Sequence, residues 1–576
     1  MNRRILASLD NFKKIRDNNS LYVDKSGFIS ELLEFGDEVV AIARPRRFGK
    51  SLNMSMLSYF FDMNNSEENK KLFEGLEIAK SPHFAEQGKY VVVSIAFKDF
   101  KKSSFKDCYS KIVKLIISEY DKHPYLQNST NLTPTERRNY EKILNGRGDQ
   151  SDYESSLGDL SRYLNKHHGR KVVILIDEYD TPVIDGELNG YYEKVSNFMQ
   201  NFLGEALKSN ESIFKGIVTG ITRLQGAGIF SGLNNADICT TFEKKYNDKF
   251  GFTEKEVKDL LREYDMEDKE FKVKDYYNGY NFKGEVIYNP YSVVKSLGAR
   301  DLGNFWIGSS SNDLAKKKIR ELMNIRVNNG LNDEFEQLLQ GGVIKLNVKN
   351  SQSIGGNMDK EDILNLLLHS GYLKYKNYRI EGFKRYAEAS IPNQELREVY
   401  SETVGEWLRE KAPEYTGEKF MDFLKQICEG DEKNIKEVME IYLDKRSMFD
   451  GEKILEMGYH NFLFGMLQGL ESRYIVESNK ESSKGRFDIM LTPVNYGEKE
   501  NKNRSGIVIE LKVGSGDNLK KLSEKAISQI EGNKYYSSLK EKGLKKARLV
   551  GIAFNKKNVE VAIKDIKLDI KKPLFD

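Results

Sequence analysis

Three neighbouring residues, Gly49-Lys50-Ser51, carry the most recognisable chemistry in the chain. They follow an apolar run (Val39, Val40, Ile42) and open an apolar-periodic segment with Met54, Met56, Leu57, Phe60 and Phe61. The order is therefore strand, loop, Gly-Lys-Ser, helix, the layout of a phosphate-binding loop. Backbone N–H groups converge on an anion at a helix N-terminus, Lys50 reaches the outer phosphates, and the Ser51 hydroxyl is a ligand for Mg²⁺. Arg46, Arg47 and Phe48 make up the rest of the loop around the same anion. The usual pattern G-x-x-x-x-G-K-[ST] places its first glycine at 44, where this chain has Arg44, so the loop turns without that glycine's freedom. A basic turn ahead of an ordinary helix is the plainer alternative.

A second cluster ends the run KVVILIDEYD (171–180), five apolar residues followed by Asp177 and Glu178. A strand apolar on both faces belongs inside a parallel sheet covered by helices, and ligands of such sheets sit at the carboxyl ends of the strands. There Asp177 would join Ser51 in the shell of a Mg²⁺ ion, and Glu178 would orient or deprotonate an attacking water. An exposed acidic strand end is the alternative, and it loses weight because two independent signals require one site. A further strand, 213–221, ends in Thr222-Arg223, where Arg223 would stabilise charge developing on a phosphoryl group or sit on the surface.

The third cluster lies in the last quarter of the chain. The strand GIVIELKV (506–513) carries Glu510 and Lys512 two apart, hence on one face. Asp488 flanks a preceding strand, and Glu456 lies on a helix before that. Asp488 and Glu510 suit Mg²⁺, which prefers hard oxygen ligands, and Lys512 would orient or deprotonate a water beside a scissile phosphate. A salt bridge at a sheet end explains Glu510 and Lys512 alone, but a carboxylate among Ile507, Val508, Ile509, Leu511 and Val513 is costly unless paired or metal-bound.

The elements that must position these residues follow from periodicity. Strands are expected at 20–23, 89–97, 171–177, 213–221, 474–477 and 506–513, with helices at 27–35, 105–120 and 153–167. The 89–97 run reads as a buried strand, and the polar stretch 122–152 as an insertion. Thr253 and Glu256 form a capping box, and 276–291 reads as a short hairpin. A helix at 362–369 followed by strands 372–378 and 383–391 is reminiscent of a winged helix. Its interleaved Tyr375, Lys376, Tyr378, Arg379, Lys384, Arg385 and Tyr386 suit nucleic acid, although a solvated hairpin edge is the favoured reading. The domain expectation is 1–245 for the phosphate-loop domain, 246–394 for a helical and winged-helix-like region, 395–450 for a helical connector, and 451–576 for the tail.

With 576 residues, 39% hydrophobic and 31% charged, the chain suits about three soluble domains. No apolar stretch approaches a membrane span, and neither a secretory signal nor a metal-ligand spacing of the three cysteines is seen, which fits a cytoplasmic location. Basic and acidic residues nearly balance, 91 against 87, so any nucleic-acid surface must be local.

With these clusters in view, the chain resembles the bacterial AAA-ATPase-like family that carries a C-terminal nuclease-like domain of the PD-(D/E)xK superfamily. The resemblance rests on YVDKS (22–26), RPRRFGKSLNMSML (44–57), LIDEYD (175–180), TGITR (219–223), FGFTEKEV (250–257), YNGYNF (277–282), YNPYS (288–292), IPNQE (391–395), GRFDI (485–489) and IELKV (509–513). It implies an α/β architecture: a P-loop NTPase parallel sheet with helices on both faces, the helical middle region, and a restriction-endonuclease-like tail. It makes Arg44 usual for the family and implies ATP and Mg²⁺ as cofactors. In the tail it matches Glu456, Asp488, Glu510 and Lys512 to the nuclease-like motif, with Gln529 and Tyr535 as accessory positions. The expected function is an ATPase coupled to a Mg²⁺-dependent hydrolase of nucleic acid, DNA foremost, in defence against foreign DNA. A homo-oligomer is a further expectation. The alternatives are an ATP-gated switch whose tail binds without cutting, and an ATPase that remodels a protein partner beside a structural tail.

Overall fold

The structure is a computed structural model that describes residues 3–5, 10–98, 100–223, 235–306, 312–324, 333–339, 341–349, 354–355, 358–411, 418–444, 459–460, 463–464, 467, 470, 473–478, 481–482, 485–486, 488–494, 504–514, 518–555 and 558–568. The chain folds into two units, one of residues 1–315 with 345–396, the other of residues 316–344 with 397–576.

The first unit is built on five parallel strands, β1 (Val39–Ala43), β2 (Val91–Ala96), β3 (Val172–Asp177), β4 (Ile213–Gly220) and β5 (Ala236–Cys239), in the order β2-β3-β4-β1-β5. Alternation splits each central strand between two cores. Val172, Ile174 and Ile176 pack with helices α2 (Phe105–Tyr120), α3 (Gln150–His168) and α4 (Tyr192–Leu207). Val173 and Leu175 pack on the other face with Met54, Met56, Leu57 and Phe60 of helix α1 (Lys50–Phe61). This double coverage is why β3 reads as an unbroken apolar run. β4 lies between the strand that feeds the Gly-Lys-Ser loop and the strand that ends in Asp177.

Three elements differ from expectation. β2 is an edge strand, so Val92 and Ser94 are only half-buried. Residues 20–23 form no strand: among the described residues their pairing is limited to the bridge between Ser20 and Arg4. The 122–152 stretch is part of the core, because its Leu126, Leu132, Tyr140 and Ile143 are buried with the α2–α4 layer.

Beyond β5 the first unit continues with helix α5 (Glu254–Glu263), the hairpin β6 (Tyr280–Phe282) and β7 (Glu285–Tyr288), helix α6 (Pro290–Ala299), helix α7 (Lys360–His369), and the hairpin β8 (Lys374–Glu381) and β9 (Lys384–Ser390). The expected capping box is present, with Glu256 N–H donating to Thr253 Oγ1 (3.3 Å) and Thr253 N–H to Glu256 Oε2 (2.7 Å).

The second unit contains the largely helical stretch after Leu396 and a five-stranded mixed sheet. Its strands β10 (Tyr474–Ser478), β11 (Ile489–Pro493), β12 (Gly506–Val513), β13 (Lys546–Asn555) and β14 (Asn558–Lys567) lie in sequence order. β12 and β13 are parallel and joined through helix α8 (Leu519–Asn533), and the other pairs are antiparallel. Gly551 lets α8 lie directly on the sheet, since a Cβ there would stand 2.2 Å from the Ser523 carbonyl oxygen.

Candidate functional sites

In the first unit the loop after β1 turns at two left-handed residues, Arg47 (φ 67°) and Gly49 (φ 82°), and Gly49 caps α1. Arg44 is not among the residues of positive φ, so the position of the missing glycine makes no use of a glycine's freedom. Its side chain is instead a buried strut. Nη1 donates to the carbonyls of Ala43 (3.0 Å) and Cys239 (2.9 Å), and Nη2 to those of Lys245 and Tyr246 (both 3.3 Å). The guanidinium also faces the rings of Phe250 (5.6 Å) and Phe282 (5.2 Å), and burial pulls its pKa down to about 10. Arg44 thus holds segment 239–250 against the loop. Replacing it with glycine, the commoner residue in such loops, is expected to destabilise the chain by at least about 1–3 kcal/mol, the scale for a buried carbonyl left without its donor. A lowered urea midpoint of Arg44→Gly checks this.

The same segment braces the loop elsewhere. Gly251 N–H donates to the Phe48 carbonyl (3.1 Å), and the buried Phe48 ring meets Tyr280 (4.8 Å) and Phe282 (5.6 Å). Several sequence motifs prove to be such stitches. Lys25 bridges to Glu256 (2.7 Å), Asn289 caps α6 by accepting from Tyr291 N–H (2.9 Å), and Ser292 donates to the buried Glu395 (2.8 Å).

Arg46, Arg47, Gly49, Lys50, Ser51 and Glu178 line one cavity of about 950 Å³, near the upper end of ordinary small-ligand sites. Lys50 Nζ donates to the carbonyls of Arg44 (2.9 Å) and Pro45 (2.8 Å). Burial lowers the Lys50 pKa, against the pull of Glu178, Asp180 and Asp177. Asp177 lies at the end of β3, where it accepts from Thr219 Oγ1 (2.5 Å). Glu178 has a left-handed backbone (φ 55°), uncommon outside glycine, and burial beside Asp177 raises its pKa. Asp180 anchors the turn by accepting from the N–H groups of Ile221 (2.6 Å) and Thr222 (3.2 Å). Gly220 permits this close approach, since a Cβ would stand 2.4 Å from the Tyr179 ring. Arg223 is not brought to the cavity wall; its charge is felt at His369 instead.

Several lysines line the cavity besides Lys50, and one of them, Lys98, is placed by the sheet itself. Ala96 and Asp177 are register partners, and Phe97 N–H donates to the Asp177 carbonyl (3.0 Å), which sets Lys98 at the strand ends with the acidic pair. Lys98 bridges to Asp10 (2.5 Å). Burial pulls its pKa down, but Asp10, with Asp177 and Glu178, pulls harder, and the net shift is upward. A lysine two residues past an edge strand gives no sequence signal by itself; the sheet order reveals it. If the cavity holds a triphosphate, Lys98→Ala is expected to slow hydrolysis about tenfold with affinity retained, since it removes charge facing the reacting group. Phosphate-release and calorimetric measurements check the two halves.

In the second unit, the register Ile489↔Ile509 sets Asp488 one step further on, beside Glu510. Asp488 Oδ2 accepts from Leu511 N–H (2.7 Å), and Glu510 is 2% exposed. Glu510 Oε1 accepts from Lys512 Nζ (3.0 Å) and from Gln529 Nε2 of α8. Tyr535 accepts from Asn533 Nδ2 (2.8 Å) and lies 3.4 Å from Gln529 Nε2. The fold therefore assembles Asp488, Glu510, Lys512, Gln529 and Tyr535, while Glu456 lies outside the described residues. His460, not anticipated, meets the Asp488 carbonyl through Nε2 (3.0 Å). No group of three His, Cys, Asp or Glu side chains with metal-binding geometry occurs among the described residues. Two carboxylates still suit Mg²⁺, which commonly takes one or two, with water and substrate phosphate completing its shell.

Residues 7–230 match the AAA-ATPase-like family, described as a predicted AAA-ATPase, and residues 454–563 match the PD-(D/E)XK nuclease superfamily. The chain thus contains an AAA-ATPase-like domain and a PD-(D/E)XK-superfamily domain, the two parts of the family that its sequence resembles. The AAA-ATPase-like match covers strands β1–β4 of the sheet with the loop and the acidic strand end, and the tail match covers Asp488, Glu510, Lys512 and Gln529. The chain is also 26% identical over 307 residues to a protein of Azotobacter chroococcum mcd 1 described as an "uncharacterized protein in vnfD 5'region". That similarity takes in 53% of this chain and 54% of the relative, so the chain spans about half the length of the relative it matches. No helix among the described residues is long and apolar enough to cross a membrane.

Proposed function

We propose that the chain binds and hydrolyses ATP in the cavity of the first unit, and that the tail is a Mg²⁺-dependent phosphodiesterase acting on nucleic acid under control of the nucleotide. The observation that carries this reading is the convergence, within each unit, of the residues phosphate chemistry needs. Lys50, Ser51 and Glu178 share one cavity, and Asp488, Glu510, Lys512 and Gln529 meet where β12 packs against the start of β11 and helix α8.

In the first unit Lys50, Arg46 and Arg47 would bind the phosphates, and the apolar wall of Leu21, Tyr22, Val23, Phe252 and Val294 suits a nucleobase. Ser51 and Asp177 would hold Mg²⁺, which neutralises phosphate charge when bound. Glu178 would accept a proton from water as the water attacks the γ-phosphorus and the bond to the β-phosphate oxygen breaks, giving ADP and phosphate. Its raised pKa makes it a stronger base. In the tail Asp488 and Glu510 would hold Mg²⁺, and Lys512 would orient the water that displaces one phosphodiester oxygen. A homo-oligomer, a cytoplasmic location and a role in defence against foreign DNA fit this reading and belong to the proposal.

One observation favours a second reading, a tail that binds nucleic acid without cutting it: Glu510 is already compensated by Lys512 and Gln529. Purified chain assayed for phosphate release and for cleavage of DNA and RNA, with and without ATP and Mg²⁺, separates the two. The hydrolase reading requires cleavage that Lys512→Ala abolishes, whereas the binding reading gives retention of nucleic acid with no cleavage under any metal.

A further inference from the structure

The β8–β9 hairpin divides into two halves of opposite character. At its base Tyr375 stacks on Phe242 (4.3 Å), donates to the Thr241 carbonyl (2.8 Å) and accepts from Lys283 N–H (2.9 Å). Ala387 and Ala389 are buried there. Tyr378 also packs inward, 5.2 Å from the Phe242 ring. The tyrosines that made the sequence look suited to nucleic acid are therefore largely framework. Toward the tip every residue from Arg379 to Lys384 is exposed. Phe383 stands in the turn at 107% relative exposure beside Gly382 (φ 62°), and Ile380 is 63% exposed. Arg379, Lys384 and Arg385 surround them against one acid, Glu381, which pairs with Arg379 (2.6 Å).

An exposed charged edge protects a hairpin from aggregation, but a solvated phenylalanine at its tip works against that end. We propose that this tip is a binding site for single-stranded nucleic acid, with Phe383 stacking on a base and Lys384, Arg385 and Arg379 meeting flanking phosphates. Charge complementarity points to a polyanion, and the bare aromatic face to one with accessible bases. The preceding helix α7 is buried at every residue from Ile363 to His369, so it offers no recognition helix for a duplex groove. Stacking also tolerates any base, so the site is indifferent to sequence. The inference builds on the proposed nucleic-acid target, but binding at the tip and cleavage at the tail are read separately.

The test uses full-length chain carrying Lys512→Ala, so that the probe is not consumed, and fluorescence anisotropy with a labelled mixed-sequence DNA strand and its duplex over a range of salt. The parent is expected to prefer the single strand. Adding Phe383→Ala should weaken that binding roughly tenfold, the scale of one lost base stack, with little change in salt dependence. Adding Lys384→Glu with Arg385→Glu should weaken it and flatten the salt dependence. Unchanged thermal unfolding checks that both variants are folded. A parent that binds no nucleic acid, one that prefers duplex, or variants that bind like the parent overturn the proposal. If the parent binds through the tip while the chain with Lys512 intact never cleaves, this site stands and the hydrolase reading falls.

Discussion

Lys50→Met is expected to abolish ATP hydrolysis, with turnover reduced roughly a hundredfold or more, because it removes a positive charge placed where phosphate charge develops. Methionine keeps most of the lysine stem within the cavity, so the change is chiefly one of charge. The ammonium is desolvated and held by the carbonyls of Arg44 and Pro45. In so dry a place its interaction with a phosphate exceeds that of a surface lysine. Calorimetry with ATP, together with phosphate release, should show affinity and turnover falling together. Hydrolysis at the wild-type rate would remove the nucleotide assignment from this loop.

The second large effect is expected at Glu510. Glu510→Gln preserves shape but removes the buried charge that Lys512 faces at 3.0 Å. Loss of Mg²⁺ or Mn²⁺ binding and a fall in cleavage of roughly a hundredfold or more should follow, since a neutral amide is a poor ligand for hard cations. Calorimetric metal titration and cleavage of labelled DNA and RNA check both points. An intact metal isotherm and unchanged cleavage in Glu510→Gln would place the chemistry elsewhere.

Much of the candidate chemistry was legible because it sits at strand ends, where apolar periodicity stops abruptly. Asp177 and Glu178 follow a run buried on both faces, and period-two alternation put Glu510 and Lys512 on one side before any pairing was known. The less legible features depend on contacts between distant parts of the chain. Arg44 looked like a flaw in a phosphate loop, yet it braces carbonyls about 200 positions downstream, which spacing within the motif cannot express. Lys98 acquires meaning only because β2 lies beside β3. The stretch 122–152 looked like an insertion because its few apolar residues are scattered among polar ones, but Leu126, Leu132, Tyr140 and Ile143 find one core. Sequence also could not tell which aromatics of the β8–β9 hairpin face inward, since its register shifts between Lys376 and Arg379.

The central claim is that nucleotide chemistry in the first unit controls phosphodiester chemistry in the second. Cleavage of nucleic acid by the full-length chain at saturating ATP and Mg²⁺, compared between wild type and Lys50→Met, tests it most directly. Wild type is expected to cleave, and Lys50→Met to be as inactive as Lys512→Ala although its tail is untouched. Undiminished cleavage by Lys50→Met, or no cleavage by wild type in any nucleotide state, would contradict it.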